Sequence, residues 1–181
     1  MVSLVGRMSV GTVGSMLLYP NGTIQHAGVV LVDHGGGAAH YFQWMDPEKP
    51  IYNNLHEFTR EVSASTGACL MVRRDVYLEA GGFSEEFQIS GNDIDFCLRI
   101  QSLGYRNLWT PDARLIHKES MTRKKDKIPF PDEARMWRLW GDQFLAKDPF
   151  YSSNFTNQAT VCELPKVVSR LSAEVIGDVA R

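Results

Sequence analysis

No stretch of this 181-residue chain stays apolar for anything near the ~18 residues that a membrane-spanning helix needs. The first residues also lack the basic-then-apolar order of a secretory leader. The chain is therefore expected to be soluble, and its expected location is the cytoplasm, the cytoplasmic face of the membrane included. Cysteine is scarce: Cys69, Cys97 and Cys162 are three, an odd number without CxxC spacing, and two of them sit inside apolar runs. That argues against a disulfide framework or a zinc site and for a reducing compartment. A surplus of positive charge is missing as well. Nineteen lysines and arginines against 21 acids leave a net charge of −2, and the one basic run, Arg123-Lys124-Lys125, is short enough to be a solvated loop. Nucleic acid is not an expected partner.

What is present is a core-forming composition, 44% apolar and 22% charged, with alternating strand and helix signals of an α/β chain. Val13–Tyr19 and Ile24–Leu31 read as a hairpin around Pro20-Asn21-Gly22-Thr23, where proline pre-sets the turn and Asn-Gly accepts positive φ. His34 to Asn54 shows neither period and is expected to be a loop that packs its aromatics. Val62–Val72 reads as a buried strand, and Arg74–Ala80 as a short helix stopped by Gly81-Gly82. Tyr105–Trp109 and Ala113–His117 read as two strands on either side of a Thr110-Pro111-Asp112 turn. Beyond a polar connector, helices are expected over 133–146, with Met136, Leu139, Trp140 and Phe144 on one side, and over 165–179. The change of character near residue 118 divides the chain into residues 1–118 and an extension over 119–181.

Between the glycines lies Ser90-Gly-Asn-Asp-Ile-Asp-Phe-Cys-Leu-Arg-Ile100. Ile94, Cys97 and Leu98 fall at helical spacing, and Gly104 closes the helix. Asn92 can cap it, with Asp95 at the third helical position and paired to Arg99 at i+4. Capping and the helix dipole alone favour an acid here. Residues two apart do not share a helix face, so Asp93 and Asp95 are not one metal clamp. If Asp95 takes Arg99, Asp93 is left to point elsewhere.

Taken in order, Thr66-Gly-Ala-Cys-Leu-Met-Val-Arg-Arg74, Gly81-Gly-Phe-Ser-Glu-Glu-Phe87, Gly91-Asn-Asp-Ile-Asp-Phe-Cys-Leu-Arg99, Gly104-Tyr105, Pro111-Asp-Ala113 and His117 resemble family 2 glycosyltransferases. The likeness is to the second half of their catalytic domain, which is inverting and of the GT-A fold. Tyr19-Pro-Asn-Gly-Thr-Ile-Gln-His-Ala-Gly-Val29, Trp140-Gly-Asp142 and Asp148-Pro-Phe-Tyr-Ser-Ser-Asn-Phe155 extend it to the branch that builds bacterial polysaccharide and O-antigen. The resemblance implies a partial, nucleotide-diphospho-sugar transferase-like mixed sheet flanked by helices, with C-terminal helices after it.

The resemblance also implies roles. Inverting transfer needs a base on the acceptor hydroxyl and stabilisation of the departing nucleoside diphosphate. The base maps onto Asp93, and a ligand of a divalent cation, Mn²⁺ or Mg²⁺, onto His117. Asn92, Asp95 and Arg99 would support the helix start, while Gly81, Gly82 and Phe83 would shape the acceptor side. His26 matches a family position too, though a histidine on a half-buried strand is commonly structural. The family has glutamate where this chain has Asn92, one charge fewer beside the base. Its nucleotide-binding half and DxD motif would precede residue 10, so the chain is expected to be a C-terminal fragment that transfers nothing alone. Its implied partners are a nucleotide-sugar donor and a glycan acceptor, and an uncovered sheet edge would favour self-association. Two other classes fit less. His34-Gly-Gly-Gly37 is similar to a lipase oxyanion loop, but the chain has no G-x-S-x-G nucleophile. Tyr41, Phe42, Trp44 and Tyr52 could instead serve a non-catalytic module that binds carbohydrate or a partner protein.

Overall fold

A computed structural model describes residues 1–52, 54–118 and 130–152. Residues 119–129 of the connector expected over 118–132, and the helix expected over 165–179, lie outside the described residues, while residues 130–132 of that connector are already helical. In chain order the elements are α1 (Val2–Val5), β1 (Val10–Leu18), β2 (Ile24–His26), β3 (Val29–Leu31), β4 (Ala38–His40), β5 (Arg60–Glu61), β6 (Leu70–Val72), α2 (Arg74–Glu79), α3 (Asn92–Ser102), β7 (Arg106–Ile116) and α4 (Phe130–Leu145).

The sheet is built on β1, whose residues Val10 to Leu17 are all buried, as expected of a strand covered on both faces. One edge of β1 carries β6 antiparallel along Thr12–Gly14 and then β2 antiparallel at Leu17 and Leu18. The other edge carries β7, parallel along the length of β1, and β5 lies antiparallel on β7 beyond it. Parallel neighbours need a crossover, and α2 and α3 lie on the path between β1 and β7. This is the mixed sheet with flanking helices that the resemblance implies. Met16, Ile24, Phe42, Val62 and Trp109 form the central apolar cluster. The Trp109 indole N–H donates to the Ser15 carbonyl at 3.1 Å, so the largest core side chain leaves no polar atom unmatched.

Several expected elements take a different course. The strand expected over Ile24–Leu31 breaks at Gly28, whose φ of +95° only glycine adopts easily. Beyond the break β3 leaves the main sheet and pairs with β4, Val29 opposite His40 and Leu31 opposite Ala38. β4 lies in the stretch read as loop, because three short residues among glycines show no period. The long strand expected over Val62–Val72 is absent: only β6 at its far end is regular, and Ser63 and Ser65 are buried between. The expected turn at 110–112 is instead a bulge inside one strand. Ser15 faces Thr110 while Met16 faces Arg114, which leaves Pro111, Asp112 and Ala113 without partners on β1.

In the aromatic loop, Tyr41 and Phe42 are buried, with the Arg60 guanidinium 4.1 Å from the Tyr41 ring centre. Trp44 stacks on Tyr19 at 4.0 Å, yet it is half exposed. On α4, Met136 and Phe144 are buried as expected, but Leu139 is exposed. The inward row is Asp132, Met136, Trp140 and Phe144, at four-residue spacing.

Candidate active site

Gly91 enters α3 in the left-handed conformation (φ +94°) as its N-cap, and no side chain caps the helix. Asn92 is the first helical residue and not the cap expected of it, because the sharp turn at Gly91 already begins the helix one residue earlier. The acids then divide the work. Asp93 accepts the Gly67 N–H on Oδ2 at 2.8 Å and the Ile94 N–H on Oδ1 at 2.9 Å, so its carboxylate is held between its own helix and the segment before β6. Asp95 is buried. Its Oδ2 accepts from Arg99 Nε at 2.9 Å, the expected i to i+4 pair, and its Oδ1 accepts from the Trp140 indole at 3.0 Å.

Arg99 reaches on from Asp95 to the carbonyls of Ala80 and Gly82, the latter at 2.7 Å. That ties the Gly81-Gly82 turn to α3, and Phe83 completes the contact with its ring 4.6 Å from that of Phe96. Asp93, Asp95, Arg99, Gly81, Gly82 and Phe83 are thus brought onto or against one helix.

His117 lies at the other side. It follows β7, where its N–H donates to the Leu18 carbonyl at 2.9 Å. The ring contacts Gln25 Oε1 through Nδ1 at 2.8 Å. A carboxamide oxygen only accepts, so Nδ1 carries the hydrogen and Nε2 keeps its lone pair. Leu17, Gln25, His26, His40, Gln43, Thr66 and His117 line a cleft of about 100 Å³. The lining does not include Asp93.

His26 joins the two sides. Its Nε2 accepts from the Gly28 N–H at 3.2 Å and the Thr66 N–H at 3.4 Å, which puts its own hydrogen on Nδ1, 3.0 Å from His40 Nδ1. Burial, with the charge of His40 and of Arg60 added, pushes the His26 pKa well below 6.5, so the ring stays neutral. The Thr66 amide therefore holds His26 while the next amide, of Gly67, holds Asp93. One peptide separates the carboxylate from the cleft.

Sequence reasoning missed three residues. Asp132 collects the N–H groups of Gln88, Ile89 and Ser90 at 2.9, 2.8 and 3.0 Å. Burial works to raise its pKa, but the three amide bonds outweigh it and hold the group below its ordinary value. Trp140 donates to Asp95 from 45 residues away. Asp148 accepts the Leu31 N–H at 2.7 Å, and burial pushes its pKa up in spite of that bond. No spacing rule could find these contacts, and the apolar face read on α4 included the exposed Leu139 in place of Asp132.

Among the described residues, no three His, Cys, Asp or Glu side chains converge on a point that could hold a metal ion. His117 has the right tautomer for one ligand, with its second nitrogen held by Gln25 as metal-binding imidazoles usually are. A single imidazole does not make a divalent-cation site.

Residues 17–155 match the family model described as glycosyl transferase family group 2. The chain is similar to the O-antigen biosynthesis protein RfbC of Myxococcus xanthus, at 40% identity over 183 residues, 98% of this chain and 14% of that protein. It is similar to the uncharacterized protein y4gI of Sinorhizobium fredii at 40% identity, over 85% of this chain and 18% of that protein. The likeness to an N-acetylglucosaminyl-diphospho-decaprenol L-rhamnosyltransferase of Mycobacterium tuberculosis is 25% identity, over 64% of this chain and 40% of that protein. The chain thus spans 14% to 40% of the length of these curated relatives.

Proposed function

This chain belongs to the family 2 glycosyltransferases, and we propose that it forms the acceptor-side part of an inverting sugar transferase for bacterial polysaccharide or O-antigen assembly, with Asp93 as the base. The donor is a nucleotide-sugar and the acceptor a hydroxyl of a growing glycan. The observation that carries the reading is the Asp93 carboxylate, fixed at the mouth of α3 by the Gly67 and Ile94 amides and one peptide away from the cleft that His117 lines. Each carboxylate oxygen has a lone pair left after its amide bond, so the group is oriented and still able to accept a hydrogen.

The transfer is one displacement. The acceptor oxygen forms its bond to the anomeric carbon as the bond from that carbon to the diphosphate breaks. The electron pair leaves with the nucleoside diphosphate, and the acceptor proton passes to Asp93. A bound divalent cation would supply neutralisation of the departing charge. His117 would give it one nitrogen. The turn at Gly81, Gly82 and Phe83, pinned by Arg99, borders the acceptor.

Asp93→Asn in the full-length transferase tests this. Turnover should fall by about 10²- to 10⁴-fold while donor binding survives, and unchanged turnover would refute the assignment. His117→Ala should weaken calorimetric binding of Mn²⁺ with UDP, the nucleotide probe used, and an unchanged isotherm would remove His117 from the cation site.

A further inference from the structure

α3 begins at Gly91 without a side-chain cap. The inward row of α4 meets that unsupported start at successive turns. Asp132 takes the three amides of residues 88–90, which lead directly into Gly91. Met136 lies over Gly91 itself, where a β-carbon would come 2.9 Å from Met136 Cγ. Trp140 then donates to Asp95 in the first part of α3, and Phe144 closes the row against Gly37.

We propose that this row is a clamp which fixes the direction of Asp93, with Asp132 and Trp140 as positioning residues for the transfer. The proposal rests on Asp93 being the base. Asp93 lies between the two clamped points, after the 88–90 segment and before Asp95, and its bond to the Gly67 amide holds only if the first turn of α3 stays in place. Packing alone would be met by apolar side chains along the row. Two of its four members are polar instead, and both spend their hydrogen bonds on the mouth of α3. A phenyl ring at 140 would fill much of the same space, so the indole N–H is the part of Trp140 that packing does not require.

The test is the amide resonance of Gly67 in the ¹⁵N-labelled chain, which reports its bond to Asp93 directly. Asp93→Asn sets the position of that resonance without the charged acceptor. In both Trp140→Phe and Asp132→Asn, the Gly67 resonance should move towards that position and its hydrogen exchange should quicken. The Trp109 indole N–H, bound to the Ser15 carbonyl in the central cluster away from α4, should stay where it is, which reports that the variants are folded. Leu139→Ala, on the exposed face of α4, should leave Gly67 unmoved. A Gly67 resonance that stays in place in either clamp variant overturns the proposal, as does an equal movement in Leu139→Ala, which would mean a general loosening. In the full-length transferase, Trp140→Phe should lower kcat about ten- to a hundred-fold with the donor KM unchanged. A rise in KM with kcat intact would also overturn it. Turnover persisting in Asp93→Asn would sink the base assignment and leave the clamp measurement standing.

Discussion

At the mouth of α3, two carboxylates are satisfied by backbone amides, a guanidinium and an indole, donors that keep their protons throughout the physiological range. At the cleft, by contrast, three imidazoles are satisfied by one another, by carboxamide oxygen and by backbone, and their donor and acceptor roles depend on which nitrogen carries the hydrogen. The first region is held in direction, with the Asp93 carboxylate fixed between two amides. The second can change its hydrogen-bond pattern with one proton. They meet at Thr66-Gly67, where adjacent amides serve one side each, so a disturbance of either region has a short path to the other.

Breaking the carboxylate side should have the largest effect on stability. Asp95→Ala leaves Arg99 and the Trp140 indole without their shared acceptor, and truncating one member of a buried pair costs about 3 kcal/mol. Denaturant unfolding would measure it, and a loss near zero would show that the network adds little beyond packing. The imidazole side should respond to pH. Unfolded His26 takes up a proton below its ordinary 6.5, whereas the folded group, held well below that value, does not. Stability should therefore fall as pH drops below 6.5, by at most about 1.4 kcal/mol per pH unit from this residue. His26→Gln should flatten the dependence of Tm on pH below that point, and an equally steep curve would place the titration elsewhere. A smaller change is expected from His117→Ala, which gives up one neutral hydrogen bond to Gln25, about 1 kcal/mol. Smallest of all is Leu139→Lys on the outer face of α4, within about 0.5 kcal/mol of the parent. A larger loss there would contradict the assignment of the inward face.

What could be read from the sequence follows the range of the interactions. The α3 helix and the Asp95–Arg99 pair are visible because both are set by residues four apart. The hairpin turn and the glycine stop after α2 are visible because those residues have few other conformations. The cap falls one residue earlier than expected, since Gly91 and Asn92 offer competing starts and the left-handed turn at Gly91 takes the first. β3 and β4 were missed or merged because Gly28 sends the chain to a second sheet whose other strand has only three residues. The place of Asp93 in the first turn of α3 follows from local spacing, but its partner amide at Gly67 does not. Asp132, Trp140 and Asp148 act on partners far along the chain, and only the folded topology brings these together.

The bulge in β7 acts as a counter of residues. Three residues, Pro111 to Ala113, intervene where β1 advances by none, and an odd number inverts the alternation of faces along the rest of the strand. Arg114, Leu115 and Ile116 are set by that parity, and so is the direction in which the chain delivers His117. Loss of one of the three, with Arg114 drawn in to refill the interruption, would bring His117 opposite Leu18 and turn its imidazole to the reverse side of the sheet, away from Gln25. The position of the cleft histidine is thus encoded in the length of a three-residue interruption and hardly at all in the identity of its neighbours, a form of information that substitution cannot erase but a one-codon deletion can.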